Sequence, residues 1–527
     1  MMHVDYRENK GFMTVMLLMM ISVFAIITVA VLGLININTR AVANNINSQK
    51  AFNIAEAGIN YYLWHLSHSP TDFKDGQTTP TTPDPNLGYG PYVHTYKDDN
   101  SITQGTYTLW LKPQGNGSTV VTIRSIGQVN GSSIKRSIDA KIGSPSFASY
   151  GVVSDTALWF GDTESASGPV HSNQGVRMDG PSSSDVTSAN ATYIPSSQLG
   201  GNGSTSRPGV WCSTAITTPV NCNTRSKADW RYPVPSVDFN QVNGSLCTLK
   251  KTAFEADSTT SSLATLTDAC TQTPTTRTAA YLPQRSTTGS YNRSSGYLIE
   301  LNTDGTYNLY NVNNETDTAN SYTAALTRTI VGSNIALPSS KVLFAEDNVW
   351  VRTNSTFSGR VTIGAGRLAT ASNAVIVIAD DVVYSTKNGS DAIGLVAEDY
   401  VTVAPYAPPQ SGSFNFEIDA AVIAQTGSVL WPLFYRSATS TCTRGFASSN
   451  QNFLFYGSVA SRQSWTWTWA IGGACGNAVN SGSGYFVSGI LNNTTQYDYN
   501  LLYAPPPSFP ITSSFNVLSW QEVITAP

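Results

Sequence analysis

The feature that most constrains this chain is an uncharged apolar segment close to its N-terminus. From Phe12 to Ile35 run 24 residues without a charged side chain, and Arg7 and Lys10 precede them. As a helix this segment would be about 36 Å long, which is enough to cross a hydrocarbon core of about 30 Å. The positive-inside rule leaves the short basic stretch in the cytoplasm. The sequence therefore predicts one membrane-spanning helix, with the bulk of the chain exported.

A secretory signal peptide is the alternative interpretation of this segment. Its apolar region would run for about 7–15 residues and end at a small-residue cleavage site. Here apolar residues instead continue at helical spacing from Val42 to Leu66, until His68-Ser69-Pro70 breaks the pattern. We therefore expect one continuous helix over residues 12–68.

The residues around this helix resemble a known family. Lys10-Gly11-Phe12 before an apolar helix is similar to a prepilin leader, and AFNIAEAGINYYLWHL (51–66) resembles the AEAG signature of PilX-type, GspK-like minor pilins. The resemblance implies a leader over residues 1–11, cleavage by prepilin peptidase between Gly11 and Phe12, and methylation of Phe12. It also implies a helix that packs among other pilin helices; the residues it assigns to this membrane and assembly helix are Met16, Ala51, Ala55, Glu56, Ala57 and Gly58.

Met16 is a departure from the usual pilin pattern. Most pilins carry Glu at this fifth mature position, where it is thought to pair with a neighbour's N-terminal amine. A shaft subunit without that charge would leave amines unpaired in an apolar bundle. The resemblance, with this departure, implies a minor, low-copy and tip-proximal subunit of a type IV pilus or pseudopilus. It would lie in the cytoplasmic membrane before assembly and afterwards on the cell surface, with a large extracellular domain for assembly or adhesion.

The exported region has the composition of an extracellular β protein. Charged residues make up only 12 % of the chain, against about a quarter in an average soluble protein. Residues 69–91 are rich in Thr, Pro and Gly and are interpreted as a linker. Period-two alternation over residues 92–145 then predicts a small antiparallel β unit.

Residues 146–527 show short hydrophobic runs that recur every 15–25 residues, each followed by a small or polar corner. This cadence favours a parallel β-solenoid, with a β-sandwich as the alternative. A Ser/Thr-rich stretch at about 181–335 is interpreted as an insertion that decorates the solenoid. Within it, Asp304-Gly305 predicts the turn of a β-hairpin.

Six cysteines in an exported chain indicate disulfides. Near-neighbour pairing would join 212 to 222, 247 to 270 and 442 to 475, although six cysteines allow 15 connectivities and buried free thiols are the alternative. The six are Cys212, Cys222, Cys247, Cys270, Cys442 and Cys475.

Trp465, Trp467 and Trp469 alternate along the chain and would share one face of a strand. Such a row forms a candidate patch for a surface or glycan ligand, although it more often covers a core. No metal or cofactor is expected, because His65 and His68, three residues apart on the helix, lack a third ligand nearby. The net charge of −4 also gives no reason to expect a nucleic-acid partner.

An enzyme is not expected. Asp380 and Asp381 could supply two carboxylates, but neighbours in a strand point to opposite faces, and a solvated turn explains them. No GxSxG motif occurs in the chain. The second hypothesis is a membrane-anchored adhesin or carbohydrate-active β-helix protein outside any filament.

Overall fold

The structure is a computed structural model of the full chain. It describes residues 10–69, 72–77, 82–113, 120–143, 145–161, 164–212, 230–256, 266–285, 295–316, 322–370, 372–404, 406–407, 412–432, 435–436, 441–442, 444–446, 449–471, 479–480, 485–512 and 516–523. The chain divides into two compact units. Unit 1 comprises residues 1–113, 121–142 and 517–527, and unit 2 comprises residues 114–120 and 143–516.

Unit 1 begins with one long helix, α1, which runs from Lys10 to His68. Every described side chain from Phe12 to Ile46 is exposed, whereas positions in the second half of α1 are buried at helical spacing. The buried positions are Ala51, Ile54, Ala55, Gly58, Ile59, Tyr62 and Leu66. Their spacing of three and four residues places one apolar stripe on one side of the helix. The predicted continuous helix is confirmed, and it ends at His68 as the sequence indicates.

Unit 1 also contains a five-stranded sheet. Its strands are β1 (Tyr89–Lys97), β2 (Thr103–Pro113), β3 (Val120–Val129), β4 (Lys135–Gly143) and the last strand in the chain, β34 (Asn516–Val523). They are ordered β1-β2-β3-β4-β34, and the β1–β2 and β2–β3 pairs are antiparallel. The predicted β unit therefore has a fifth strand from the C-terminus, which the sequence interpretation had assigned to the solenoid. Local alternation identifies a strand but not its partner.

Unit 2 contains the remaining strands. The first group is β5 (Val152–Ser154), β6 (Leu158–Phe160), β7 (Val170–Ser172), β8 (Val176–Met178), β9 (Val186–Ser188), β10 (Thr192–Tyr193), β11 (Arg207–Pro208), β12 (Val210–Trp211) and β13 (Trp230–Arg231). The second group is β14 (Tyr281–Leu282), β15 (Gly296–Asn302), β16 (Thr306–Glu315), β17 (Leu326–Ala336), β18 (Val342–Ala345), β19 (Val349–Asn354), β20 (Arg360–Ala365), β21 (Ile376–Ile378), β22 (Ala392–Ala397) and β23 (Val401–Val403). The last group is β24 (Phe414–Ala424), β25 (Val429–Leu430), β26 (Tyr435–Arg436), β27 (Thr441–Cys442), β28 (Arg444–Phe446), β29 (Gln451–Ser461), β30 (Thr468–Ile471), β31 (Val479–Asn480), β32 (Tyr485–Ile490) and β33 (Asn492–Tyr497).

Two ladders of strands organise unit 2. The long ladder has the order β13-β9-β7-β5-β29-β24-β22-β20-β18-β14, with β33 also paired to β29, and all of its pairs are parallel. The second ladder has the order β17-β16-β15-β19-β21-β23-β25 and is parallel from β15 onward. From β18 to β25, successive strands alternate between the two ladders. Parallel pairing with this alternation is the arrangement expected of solenoid coils and not of an antiparallel sandwich.

The order of the long ladder differs from the order of the chain. The first strand, β5, pairs with β29, and the ladder continues outward through β7 and β9 to β13. Strands β9, β13, β14 and β15 all fall within residues 181–335, so much of the predicted insertion belongs to the ladders. Its polar composition is misleading because these strands are only two to seven residues long. The hairpin expected at Asp304-Gly305 is confirmed by the antiparallel β15–β16 pair.

A helix covers part of the long ladder. This helix, α2 (Gln241–Glu255), contacts β18, β20 and β14, and a short helix, α3 (Tyr322–Ala325), precedes β17. Leu246 and Leu249 of α2 are buried in the core of unit 2. Cys247 of α2 forms a disulfide with Cys270, which is one pair of the near-neighbour scheme. Cys212 is also disulfide-bonded, whereas Cys222 and Cys475 lie outside the described residues.

Candidate functional site

The first half of α1 is the largest exposed apolar surface on the described part of the chain. Phe12 is 72 % exposed and Met16 is 58 % exposed, and most large side chains as far as Ile37 are exposed to a similar degree. Among the described residues, this helix alone is long and apolar enough to cross a membrane, with a mean hydropathy of 2.9 in its most apolar window. An apolar surface of this size requires lipid or other protein around it. Residues 1–9 of the predicted leader lie outside the described range.

The second half of α1 packs very closely on the sheet of unit 1. Ala51 and Ala55 are fully buried, and a Cβ added at Gly127 of β3 would meet the carbonyl oxygen of Ala51 and lie 2.5 Å from the amide nitrogen of Ala55. A Cβ added at Gly58 would meet the Ser125 hydroxyl. The small residues of the AEAG segment therefore allow α1 to approach its own sheet.

This packing changes the interpretation of the helix residues. The resemblance assigns Ala51, Ala55 and Gly58 to contacts with other helices, but the structure buries all three within unit 1. Glu56 is exposed and Ala57 is half-buried, so these two remain available to a neighbour. The sequence pattern could not separate the two roles, because a small-residue stripe permits close approach to a helix or to a sheet.

Polar groups gather where α1 ends. The Nε2 atom of His65 lies 2.9 Å from Asp72, and that of His94 on β1 lies 2.7 Å from Asp75. The Tyr61 hydroxyl donates to Asp75 at 3.1 Å, and burial, followed by the charge of Asp75, raises the pKa of Tyr61 to about 12. These contacts tie the segment after α1 to the helix and to β1. His65 therefore has a structural partner in Asp72.

The three candidate tryptophans lie where the chain leaves β29 and enters β30. Trp467 is only 6 % exposed and packs between Phe453 and Phe455, with ring centroids 5.3 and 5.2 Å away. Trp465 is half-buried, and the indole N–H of Trp469 donates to a backbone carbonyl in unit 2 at 2.6 Å. The row is thus largely a cover for the core, and only its first members border a cleft.

That cleft, called the tryptophan cleft below, has a volume of about 140 Å³. It is built from three chain segments that are far apart in sequence. The lining residues are Trp159, Phe160, Glu164, Ser165, Trp465, Thr466, Trp467, Asn493, Thr494 and Thr495. They meet because β5 and β33 both pair with β29. The sequence pattern indicates only the tryptophans, since no local pattern connects residues 159–165 with 493–495.

The carboxylates of Asp380 and Asp381 have structural partners. Asp380 forms an ion pair with Arg352, with 3.1 Å between Oδ2 and Nη1, and Asp381 accepts the backbone N–H of Glu417 at 2.7 Å. Burial raises the pKa of Asp381 to about 6. Both side chains are half-buried, so the expected solvated turn is in fact a partly enclosed corner that joins two coils.

No protein-family model matches the chain, and no curated protein matches it. Among solved structures, the chain is similar to the competence-associated pilin ComZ from Thermus thermophilus, at 14 % identity over 90 % of this chain and 98 % of that chain, with a TM-score of 0.28. A TM-score this low does not establish a common fold.

Proposed function

We propose that this chain is a minor pilin-like subunit that is inserted in the cytoplasmic membrane and built into a type IV pilus or pseudopilus. One observation carries the proposal: α1 is exposed and apolar from Phe12 to Ile37 but docks its second half on a sheet of its own. A helix of this kind can exchange lipid for the helices of other subunits without unfolding unit 1. The Lys10-Gly11-Phe12 motif supplies the site at which prepilin peptidase would remove the leader, so that α1 would begin at Phe12.

The charge of α1 supports a low-copy position. Between Phe12 and Ala55 the helix has no acidic residue, and Met16 is exposed. A subunit of this kind has no carboxylate to pair with the N-terminal amine of a neighbouring subunit. Many copies in one shaft would therefore bury unpaired amine charges, at a cost of several kcal/mol each. A position at the tip, where fewer neighbours need pairing, avoids most of that cost.

The N-terminus of the protein in its native host tests this proposal. We expect mass spectrometry of sheared filaments to find a chain that begins at methylated Phe12. A bulky substitution, Gly11→Leu, should block that cleavage, whereas Gly33→Leu, inside the same helix, should still be processed. Normal maturation of Gly11→Leu would refute the prepilin assignment.

A membrane-anchored adhesin outside any filament is the second candidate, because the same exposed helix would also anchor such a protein. It predicts an intact Met1 and a protein confined to membranes. We further propose a non-catalytic role, because Asp380 and Asp381 are each held in structural contacts. Release of reducing sugar from a glycan panel by the wild type, lost in Asp381→Asn, would refute that role.

A further inference from the structure

One lysine of unit 2 lies wholly inside the protein. Lys250 of α2 and Glu346, the residue after β18, form an ion pair in which the two side chains are 0 % and 2 % exposed. Lys250 alone among the lysines of the described residues is buried. Lys251 and Lys387 also form ion pairs, but their side chains are 47 % and 36 % exposed, so water solvates them. Among these pairs, Lys250–Glu346 is the one that has lost its water.

The surroundings of this pair are apolar. Leu249 and Phe254 of α2 are buried in the core of unit 2, and the ring of Phe254 packs on that of Tyr281 with 5.2 Å between centroids. Moving two charges from water into such surroundings is costly. A lysine can avoid this cost by passing a proton to the carboxylate, which leaves a neutral amine beside a neutral acid. The buried Arg367–Asp347 pair differs, because a guanidinium always keeps its charge.

The hydrogen bonds around the pair fit an amide. The Tyr281 hydroxyl donates to Oε2 of Glu346 at 2.6 Å, closer than to the carbonyl oxygen of Pro274 at 2.9 Å. Burial, followed by the hydrogen bond to Glu346, raises the pKa of Tyr281, so this hydroxyl keeps its proton and remains a donor. Nζ of Lys250 donates to the backbone carbonyl oxygen of Gln272. A secondary amide needs one acceptor for its N–H and one donor for its carbonyl oxygen, and Gln272 and Tyr281 supply them.

We propose that Lys250 and Glu346 condense into an isopeptide bond. The ammonium passes one proton to Oε1, and the freed lone pair of Nζ attacks Cδ. The nitrogen then gives a second proton to Oε1, the Cδ–Oε1 bond breaks, and Oε1 leaves as water. Oε2 becomes the amide oxygen and keeps its bond from Tyr281, which also stabilises the negative charge that grows on Oε2 during the attack. The reaction needs no oxidant, because nothing is oxidised or reduced.

The fold supplies what this condensation lacks in free solution. Nζ of Lys250 and the carboxyl group of Glu346 are in contact and both are held by the core, so no encounter step is needed. Full burial also excludes the water that would hydrolyse the intermediate. Once formed, the bond would join α2 to the end of β18, in addition to the Cys247–Cys270 disulfide that already fastens α2. This crosslink is independent of whether the chain enters a filament.

Mass spectrometry of the full chain tests this inference, with the disulfides reduced and the N-terminus determined on the same sample. We expect the chain to be lighter than its sequence by one water molecule, and a tryptic digest to contain a branched peptide that joins Lys250 to Glu346. Lys250→Met should restore the full mass. Lys251→Met, which changes the exposed neighbour, and Lys387→Met, which changes a solvated ion pair, should both keep the loss.

The wild type decides the question even if Lys250→Met fails to fold. A wild-type chain of full sequence mass would overturn the proposal and leave a buried ion pair only. A loss of water that persists in Lys250→Met, or a branched peptide that maps to another pair of residues, would overturn it as well.

Discussion

Replacing Gly127 with alanine tests how closely α1 must approach its sheet. The new Cβ would meet the carbonyl oxygen of Ala51 and lie 2.5 Å from the amide nitrogen of Ala55. Both are helix backbone atoms, which a change of rotamer cannot move. The helix and β3 would therefore have to separate by roughly 1 Å to restore ordinary van der Waals distances.

The expected cost follows from two opposing effects. Overpacking of a close contact destabilises by about 1–3 kcal/mol, whereas alanine in a strand is otherwise more stable than glycine by roughly 0.5–1 kcal/mol. The net loss should be about 1–2 kcal/mol. That loss corresponds to an increase of roughly 5–30-fold in the population of molecules in which the second half of α1 has separated from the sheet. Hydrogen–deuterium exchange of residues 51–66 in the full chain measures this change directly.

Two other glycines provide controls. A Cβ at Gly58 would meet the Ser125 hydroxyl and lie 2.9 Å from a Tyr107 ring carbon. Both are side-chain atoms that can move aside. Alanine also stabilises a helix by about 1 kcal/mol relative to glycine. Gly58→Ala should therefore accelerate exchange less than Gly127→Ala. Gly33 has no atom within 4 Å of its added Cβ, so Gly33→Ala should leave residues 51–66 unchanged. Slower or equal exchange in Gly127→Ala, or a larger effect in Gly58→Ala, would refute the reasoning.

Three further predictions concern unit 2. Arg367 and Asp347 form a fully buried ion pair, so Arg367→Leu should lower the free energy of unfolding by about 3–5 kcal/mol, measured by urea denaturation; a loss below 1 kcal/mol would contradict this. Replacing Cys247 and Cys270 by serine should lower the free energy of unfolding by about 3 kcal/mol for a sequence separation of 23, and a loss below 1 kcal/mol in urea denaturation would contradict this. The raised pKa of Asp381, about 6, means that its folded form retains a proton that the unfolded form loses near pH 4, so its contribution to stability falls as pH rises from about 4 to 6. Asp381→Asn should therefore have a higher melting temperature than the wild type at pH 7 and an equal one at pH 4; a lower one at pH 7 would show that the carboxylate is needed in its charged form.

The sequence predicts elements well where the signal is local. The spacing of apolar residues over α1 and the break at His68-Ser69-Pro70 predict a helix that ends at His68, and α1 ends at that residue in the structure. Alternation predicts β1 to β4. Asp304-Gly305 predicts the β15–β16 hairpin because the turn needs a positive φ that glycine adopts readily, and Gly305 indeed has a φ of 80°. Helix α2 was missed although Val242, Leu246 and Leu249 repeat at intervals of four and three, because its Ser- and Thr-rich surroundings concealed that signal.

Partners distant in sequence could not be predicted. The tryptophan cleft needs Glu164, Trp465 and Thr494 in one place, and only the pairing of β5 and β33 with β29 brings them together. Strand pairing is set by the packing of whole coils, so a short run such as β5 gives no sign of which strand it joins. The same limit explains why the buried half of the AEAG segment was assigned to other helices.

The order of strands in the long ladder allows the two ends of unit 2 to lie close together. Strands β4 and β34 are neighbours in the sheet of unit 1, yet all of the described strands of unit 2 lie between them in sequence. A solenoid stacked in chain order would separate its two ends by roughly 43 Å, at about 4.8 Å for each of the nine steps between its ten strands. Because β5 instead joins the middle of the ladder beside β29, the two ends of unit 2 meet. The backbone N–H of Phe147 donates to Pro510 at 3.0 Å, and that of Thr512 donates to Pro145 at 2.7 Å. An inserted domain whose ends meet need not strain the sheet that receives it, so this order allows a solenoid to be inserted between two adjacent strands.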